Sequence, residues 1–259
     1  MESGTTLVRS SQLGWQLYEE GRLEEAAATL PTEDTAFDQE ALELLGLIRH
    51  DQGRSGEGLD LFEQAEKLGP LGDRAKIALA CCHAACGKQD IAREQFLRLA
   101  ISRTLPPDRM LEVAAGLASI DAVQMAIQTC QWAIDRDQTN AQAYFDMGKY
   151  SAQLGQPAYV CEALAQRALQ LSPENVHFRV GLASLLIELN QPSEAIKMAH
   201  TLRPDQIESA TCASCLSNIA GLLREYGQEE MAVLCERRAS VLFETKRNAL
   251  RQFATTEGA

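Results

Sequence analysis

The stretch EALELLGLIRHDQGRSGEGLDLFEQAEKLGP, Glu40 to Pro70, decides how the whole chain is read. Leu42, Leu45, Leu47 and Ile48 recur at helical spacing, Gly53 breaks the run, and a second run continues through Phe62 and Ala65 to Pro70. Gly53 has counterparts along the chain: Gly21, Gly87, Asp121, Gly155, Asn190 and Gly227, so that the seven marks are spaced 32, 34, 34, 34, 35 and 37 residues apart. All seven are residue types that accept a left-handed backbone at little cost, which suits a tight turn between two helices.

A second register runs beside the first. Seven residues before each mark stands a small residue: Gly14, Gly46, Ala80, Ala114, Gly148, Ala183 and Ala220. A third lies five residues after each mark, with Ala26, Gly58, Ala92, Ala126, Val160 followed by Cys161, Ala195 and Ala232. Gly and Ala make up only about a fifth of the chain, so composition does not produce this pattern. Small residues at one site on each helix let two backbones approach closely, and each unit therefore reads as a helical hairpin.

A 34-residue helix-turn-helix unit with Leu, a small residue, a turn Gly, Ala, an aromatic and Pro resembles the tetratricopeptide repeat. Leu42, Leu45, Gly46, Gly53, Gly58, Phe62, Ala65 and Pro70 carry the resemblance best. The fifth unit follows with Tyr144, Met147, Gly148, Gly155, Ala168 and Pro173, one residue being inserted near Pro157, and units one, six and seven keep only the small-residue skeleton. The resemblance implies an all-α fold, a tetratricopeptide-like right-handed superhelix (α-solenoid) of about seven repeats in a single domain. The expected repeats span residues 7–38, 39–72, 73–106, 107–140, 141–175, 176–212 and 213–242, with a C-terminal capping helix over 240–253.

Composition agrees. Only 5% of residues are aromatic, and no alternating β-branched run suggests a sheet. Proline falls at expected helix starts, as in Leu105-Pro106-Pro107-Asp108, Ser172-Pro173-Glu174 and Arg203-Pro204-Asp205, with Ser172 read as an N-cap. Met1 to Ser10 holds no apolar core of signal-peptide length, and no segment approaches 18 uninterrupted apolar residues; a cytoplasmic location is expected. Gln228 to Phe253 has neither Gly nor Pro and reads as one long helix, or a helix plus a cap, with Arg237, Arg238, Lys246, Arg247 and Arg251 on its polar side. Ala254 to Ala259 reads as a disordered tail.

The chemical motifs are sparse. Of eight cysteines, Cys81, Cys82, Cys86, Cys130, Cys161 and Cys235 sit in apolar helical stretches and read as reduced thiols. Cys212-Ala-Ser-Cys215 invites a zinc or redox reading. A zinc site would need Cys82 and Cys86 from a distant repeat, however, and a redox role would want a βαβ context that is absent. Gly53-Arg54-Ser55-Gly56-Glu57-Gly58 resembles a phosphate loop but coincides with a repeat turn. His50, His83, His177 and His200 have no nucleophile placed beside them by sequence. No catalytic residue, metal or cofactor is expected, and the chain is not read as an enzyme.

Charge is uneven. Residues 1–70 hold 15 acids and 5 bases, net −10, whereas the rest holds 21 acids and 19 bases, net −2. Such an acidic first third disfavours nucleic acid and an anionic membrane as partners.

The resemblance further implies a concave groove lined by the first helix of each unit. Its groove positions project onto Trp15 and Tyr18; Glu43, Leu47 and His50; Arg74 and Ile77; Asp108 and Leu111; Gln142, Phe145 and Lys149; and His177 and Val180. The Lys and Asn pair with which some family members grip acidic C-terminal tails is missing from these positions. The expected function is a scaffold, adaptor or assembly chaperone that binds a peptide or amphipathic helix of another protein, with a basic end facing the acidic units. The alternatives are an accessory repeat region of an enzyme assembly, or a unit that self-associates through its basic terminal helix and acidic first third.

Overall fold

The computed structural model describes residues 12–30 and 38–256, and every regular element within them is α-helical. The first unit of structure, residues 1–129, holds α1 (residues 12–19), α2 (Leu23–Ala28), α3 (Gln39–Asp51), α4 (Ser55–Leu68), α5 (Asp73–Ala85), α6 (Gln89–Ser102) and α7 (Pro107–Ser119). The second, residues 130–259, holds α9 (Ala141–Gln153), α10 (Ala158–Leu171), α11 (Val176–Glu188), α12 (Pro192–Ala199), α13 (Pro204–Ser209), α14 (Ala213–Glu225) and α15 (Glu229–Thr256). The division falls within α8 (Val123–Arg136). The odd-numbered helices from α1 to α11, together with α14, are the leading helices of hairpins; α2, α4, α6, α8, α10, α12 and α15 are the returning ones, and α13 is a single extra turn and a half.

Each hairpin closes by the same local device. The seven marks all have positive φ: 75° at Gly21, 76° at Gly53, 76° at Gly87, 61° at Asp121, 66° at Gly155, 57° at Asn190 and 72° at Gly227. At Gly53 the N–H donates to the His50 carbonyl (2.8 Å) and the next N–H, of Arg54, donates back to the Arg49 carbonyl (2.8 Å); the same two bonds recur at the six other turns. This left-handed cap satisfies two carbonyls that the helix end would leave without partners. The residue after it opens the returning helix with a repeated backbone, φ −86° and ψ 60° at Arg54 and φ −84° and ψ 56° at Lys88.

The leading helices start differently, and here a fourth register emerges. Their N-caps are Asp38, Gly72, Pro106, Asn140, Asn175 and Cys212, each extended. Asp38 accepts from the Ala41 N–H (2.8 Å), Asn140 from Ala143 (3.1 Å) and Asn175 from His177 (2.9 Å). The structure corrects the reading of Ser172, which is the C-cap of α10; the chain turns through Pro173, the Asn175 N–H donates to the Ser172 carbonyl (3.1 Å), and Asn175 does the capping. Pro107 and Pro204 do sit at helix starts, where no hydrogen bond is lost.

The small residues mark where helices cross. All seven on the leading helices are buried. A Cβ added to Gly46 would stand 2.6 Å from Phe62 Cε1, and one added to Gly58 would stand 3.2 Å from the Gly46 carbonyl oxygen, so α3 and α4 meet backbone to backbone. In the fifth hairpin Cys161, not Val160, takes the buried place, because Pro157 adds a residue ahead of α10. Around these crossings the first unit packs Leu42, Leu44, Ile48, Phe62 and Leu79 into one core, and the second packs Leu182, Leu186, Leu216, Ile219 and Leu223 into another.

The C-terminal run is one continuous helix, α15, reaching Thr256, so residues 254–256 are helical rather than tail; 257–259 lie outside the described residues. Two of its basic side chains are engaged locally: Arg238 Nε donates to the Ala210 carbonyl (3.0 Å), and Arg237 pairs with Glu208 at 4.0 Å across exposed surface.

Candidate functional site

The leading helices of each unit line a pocket of their own. In the first unit a cavity of about 470 Å³ is lined by residues of α1, α3, α5 and α7, among them Tyr18, Leu47, His50, Asp51, Arg74, Ile77, Arg109 and Glu112. Five of the expected partner-contacting residues, Tyr18, Leu47, His50, Arg74 and Ile77, are therefore brought together. The Tyr18 hydroxyl donates to Asp51 Oδ2 (2.6 Å), its ring meets Trp15 edge-on at 5.9 Å, and the Arg74 guanidinium lies over it at 5.0 Å. Burial, followed by the bond to Asp51, pushes the phenol pKa upward, so Tyr18 stays a neutral donor.

Other expected residues hold the scaffold. Trp15 Nε1 donates to Glu40 Oε1 (3.0 Å). Glu43 accepts from the Gly72 N–H (3.2 Å) and from Gln39 Nε2 (2.9 Å), which ties α3 to the start of α5. Leu111 and, in the second unit, Val180 are buried in the core. Asp108 is exposed in the first turn of α7. Trp15, Glu43, Asp108, Leu111, Gln142 and Val180 line neither this pocket nor the one described next.

In the second unit a cavity of about 530 Å³ is lined by α9, α10, α11 and the start of α14, and it gathers Phe145, Lys149 and His177 from the expected set. The Phe145 ring packs at a tilt against His177, with centroids 4.8 Å apart, and against Phe178 at 4.9 Å. Gly181 makes room for it, since a Cβ there would lie 2.4 Å from Phe145 Cζ. Lys149 is exposed, 5.5 Å from the ring of the buried Tyr150. Burial lowers the His177 pKa against the opposing pull of Asp146, and burial raises the Asp146 carboxyl although Gln142 hydrogen-bonds to it. His177 is thus neutral at pH 7, and the aromatic wall carries no charge.

The projection from the sequence reached four residues past the small residue, at His50, and missed the position next to it. Asp51, Ser119, Gln153 and Glu188 each stand five residues after the small residue of their helix, and each lines one of the two pockets. That constant offset is the signal that would have found them.

One histidine stands beside a thiol. His50 Nδ1 lies 3.7 Å from Cys82 Sγ, a contact between imidazole and thiol at the edge of the first pocket. Burial pushes the Cys82 thiol up to about 12 and lowers the His50 imidazole, the reverse of what an activated nucleophile needs. Cys81, beside it, is pushed up to about 11 by burial and then by Glu112 and Asp51. Among the described residues no group of three His, Cys, Asp or Glu converges as metal ligands would, and no helix is long and apolar enough to cross a membrane.

One cysteine pair departs from the expected reduced pattern. Cys212 and Cys215 are joined by a disulfide, with Cα atoms 5.4 Å apart, in the first turn of α14, and both line the second pocket. The other six cysteines are free. A bridge between residues only three apart closes so small a loop that the chain-entropy relation gives about 2 kcal/mol, less than half of what a loop of about 100 residues gives.

Residues 162–210, from α10 through α13, match the tetratricopeptide repeat family. These lie in the fifth and sixth hairpins, whereas the sequence resemblance was strongest in the second. No curated protein matches. Among solved structures, a tetratricopeptide repeat protein from Parabacteroides merdae aligns with 95% of this chain and 98% of its own at 15% identity and a TM-score of 0.66. The pilF protein of Pseudomonas aeruginosa aligns over 84% of this chain and 97% of its own, at 16% identity and TM-score 0.60. Cut9, solved in the APC/C hetero-tetramer with Hcn1, aligns over 93% of this chain and 44% of its own, at 13% identity and TM-score 0.59. At such identities the likeness is one of fold. Hairpins capped in one way at one period, a repeat matched in sequence and a fold shared with a solved tetratricopeptide repeat protein lead to the same conclusion: this chain has the tetratricopeptide-repeat fold, with a sequence match to that family over residues 162–210.

Proposed function

We propose that the chain is a non-catalytic cytoplasmic scaffold that holds an extended or helical segment of another protein against the leading-helix faces of its hairpins. The observation that carries this reading is that a pocket opens among the leading helices in each unit, joined in the second unit by α10. Each combines apolar anchors, Leu47 and Ile77 in one and Phe145 and Leu185 in the other, with charged groups at hand, Asp51, Arg74 and Glu112 or Lys149 and Glu188. A few buried anchors supply most of the affinity of such a segment, while the charges fix its register and direction. The net −10 of residues 1–70 favours a segment with a basic end. Six free cysteines, most of them buried, suit a reducing compartment. The likeness to Cut9, which is solved with Hcn1 bound, supports a role in holding another chain.

Selection from a displayed library of random peptides tests the reading. The full chain should enrich a common pattern of aliphatic or aromatic anchors with a basic residue towards one end. Lys149→Glu or Arg74→Ala, each first checked by circular dichroism, should weaken the selected peptides about tenfold or more. No enriched pattern, or equal binding by both variants and the parent, would remove the leading-helix faces as the site.

A further inference from the structure

The disulfide on the floor of the second pocket has no part in the scaffold reading, and its surroundings set it apart from every other cysteine. Cys212 is the N-cap of α14, its Sγ accepts from the Cys215 N–H (3.3 Å), and Ser214 Oγ stands 3.4 Å from it. Hydrogen bonds and the positive end of the helix favour a thiolate there. At five other cysteines the structure does the opposite: burial pushes Cys81 and Cys235 up to about 11, Cys82 up to about 12, and Cys130 and Cys161 upward as well. Neither Cys212 nor Cys215 is fully buried, and both face the cavity. A bridge between residues three apart restrains the unfolded chain less than half as much as one that closes about 100 residues, which makes it a weak reinforcement.

We propose that Cys212 and Cys215 form a reversible dithiol–disulfide site, opening into the second pocket, whose reaction partners are thiols and disulfides of small molecules or protein side chains. In the oxidising direction the Cys212 thiolate attacks one sulfur of an external disulfide R–S–S–R. That bond breaks, one R–S⁻ leaves, and a mixed disulfide remains on Cys212. The Cys215 thiolate then attacks Cys212 Sγ, the second R–S⁻ leaves, and the Sγ–Sγ bond forms. Two protein thiols are oxidised by two electrons, the external disulfide is reduced to two thiols, and the two protons of the cysteines pass to solvent or to the departing thiolates. The reducing direction is the reverse, begun by an external thiolate at Cys212 Sγ. Cys215 packs against the core of the second unit and acts from inside the turn, which makes Cys212 the outward sulfur. Ser214 is a positioning residue.

The test uses the full chain and two probes. In glutathione buffers graded from reduced to oxidised, differential alkylation read by mass spectrometry should show Cys212 and Cys215 converting together in one two-electron step. Cys82, Cys130, Cys161 and Cys235 should stay reduced throughout. A pair that remains in one form across the whole range, or that oxidises only when the buried cysteines do, overturns the proposal. In Cys215→Ser, checked for retained helix content, a small aromatic disulfide should label Cys212 about tenfold or more faster than Cys86. Cys86 is the internal reference, an exposed thiol at the opposite end of a helix, the C-cap of α5. Labelling of Cys212 no faster than Cys86 overturns the assignment of Cys212 as the attacking sulfur. Both readouts are independent of whether a peptide binds the pocket.

Discussion

Asp121 and Asn190 adopt the same left-handed backbone as five glycines, at φ 61° and 57°. A Cβ in that region crowds the following carbonyl oxygen, a strain that glycine escapes, so the turn is more stable where Gly stands. Asp121→Gly should therefore stabilise the chain by a few tenths to about 1 kcal/mol, and Gly53→Val should destabilise it by about 1–2 kcal/mol; urea unfolding measures both. The period of these turns was legible from the sequence because so few residue types accept that backbone. Capping by Asn175 instead of Ser172 was not, because it depends on which residue before the helix is extended, and Pro173 points to the wrong one. The disulfide was not legible either, since Cys-x-x-Cys spacing carries no meaning until the pair is seen to sit in a helical first turn.

At the level of the hairpin, glycines do a second job that has nothing to do with backbone freedom. Gly46, Gly116 and Gly181 each leave space for a ring, of Phe62, Phe96 and Phe145 respectively, with an added Cβ falling 2.6, 2.3 and 2.4 Å from it. Phe62 and Phe96 are fully buried and have no room to retreat. Gly46→Ala and Gly116→Ala should each destabilise by about 1–3 kcal/mol from overpacking, even though alanine favours helix by about 1 kcal/mol. The equivalent change at the solvent-facing Gly221, where nothing lies within 4 Å, should stabilise, and a denaturant series over the three variants separates packing from propensity. Gly46 was readable as a small-residue site from its register. Gly116 and Gly181 fall outside the register, two residues after one small position and two before another, and only the packing reveals them.

At the scale of the whole molecule, each unit carries one pocket histidine whose pKa burial lowers, His50 in the first and His177 in the second. The unfolded chain takes up protons at these positions at higher pH than the folded one, so stability falls as pH drops from about 7 to about 5. Asp146 works in the opposite sense: its raised carboxyl pKa costs stability at neutral pH, and that cost is relieved as pH falls through the folded value. Urea midpoints measured across the interval should decline for the parent and flatten in His50→Asn, His177→Asn. An undiminished slope in the double variant would assign the decline to other groups.

Within each unit, helices pack on partners close by in sequence: α3 on α4 and α5, α5 on α6 and α7, α9 on α10, α11 on α12 and α14. With every turn clasped by its own two hydrogen bonds and every crossing made inside a hairpin or with a near neighbour, few contacts must wait for distant sequence. A chain emerging from the ribosome can thus close one hairpin for roughly each 34 residues synthesised, shielding Phe62 before Phe96 exists and Phe96 before Phe178. The turn that sets the architecture also sets the order of synthesis-coupled folding, and keeps the length of unprotected hydrophobic chain short at every stage of the protein's birth.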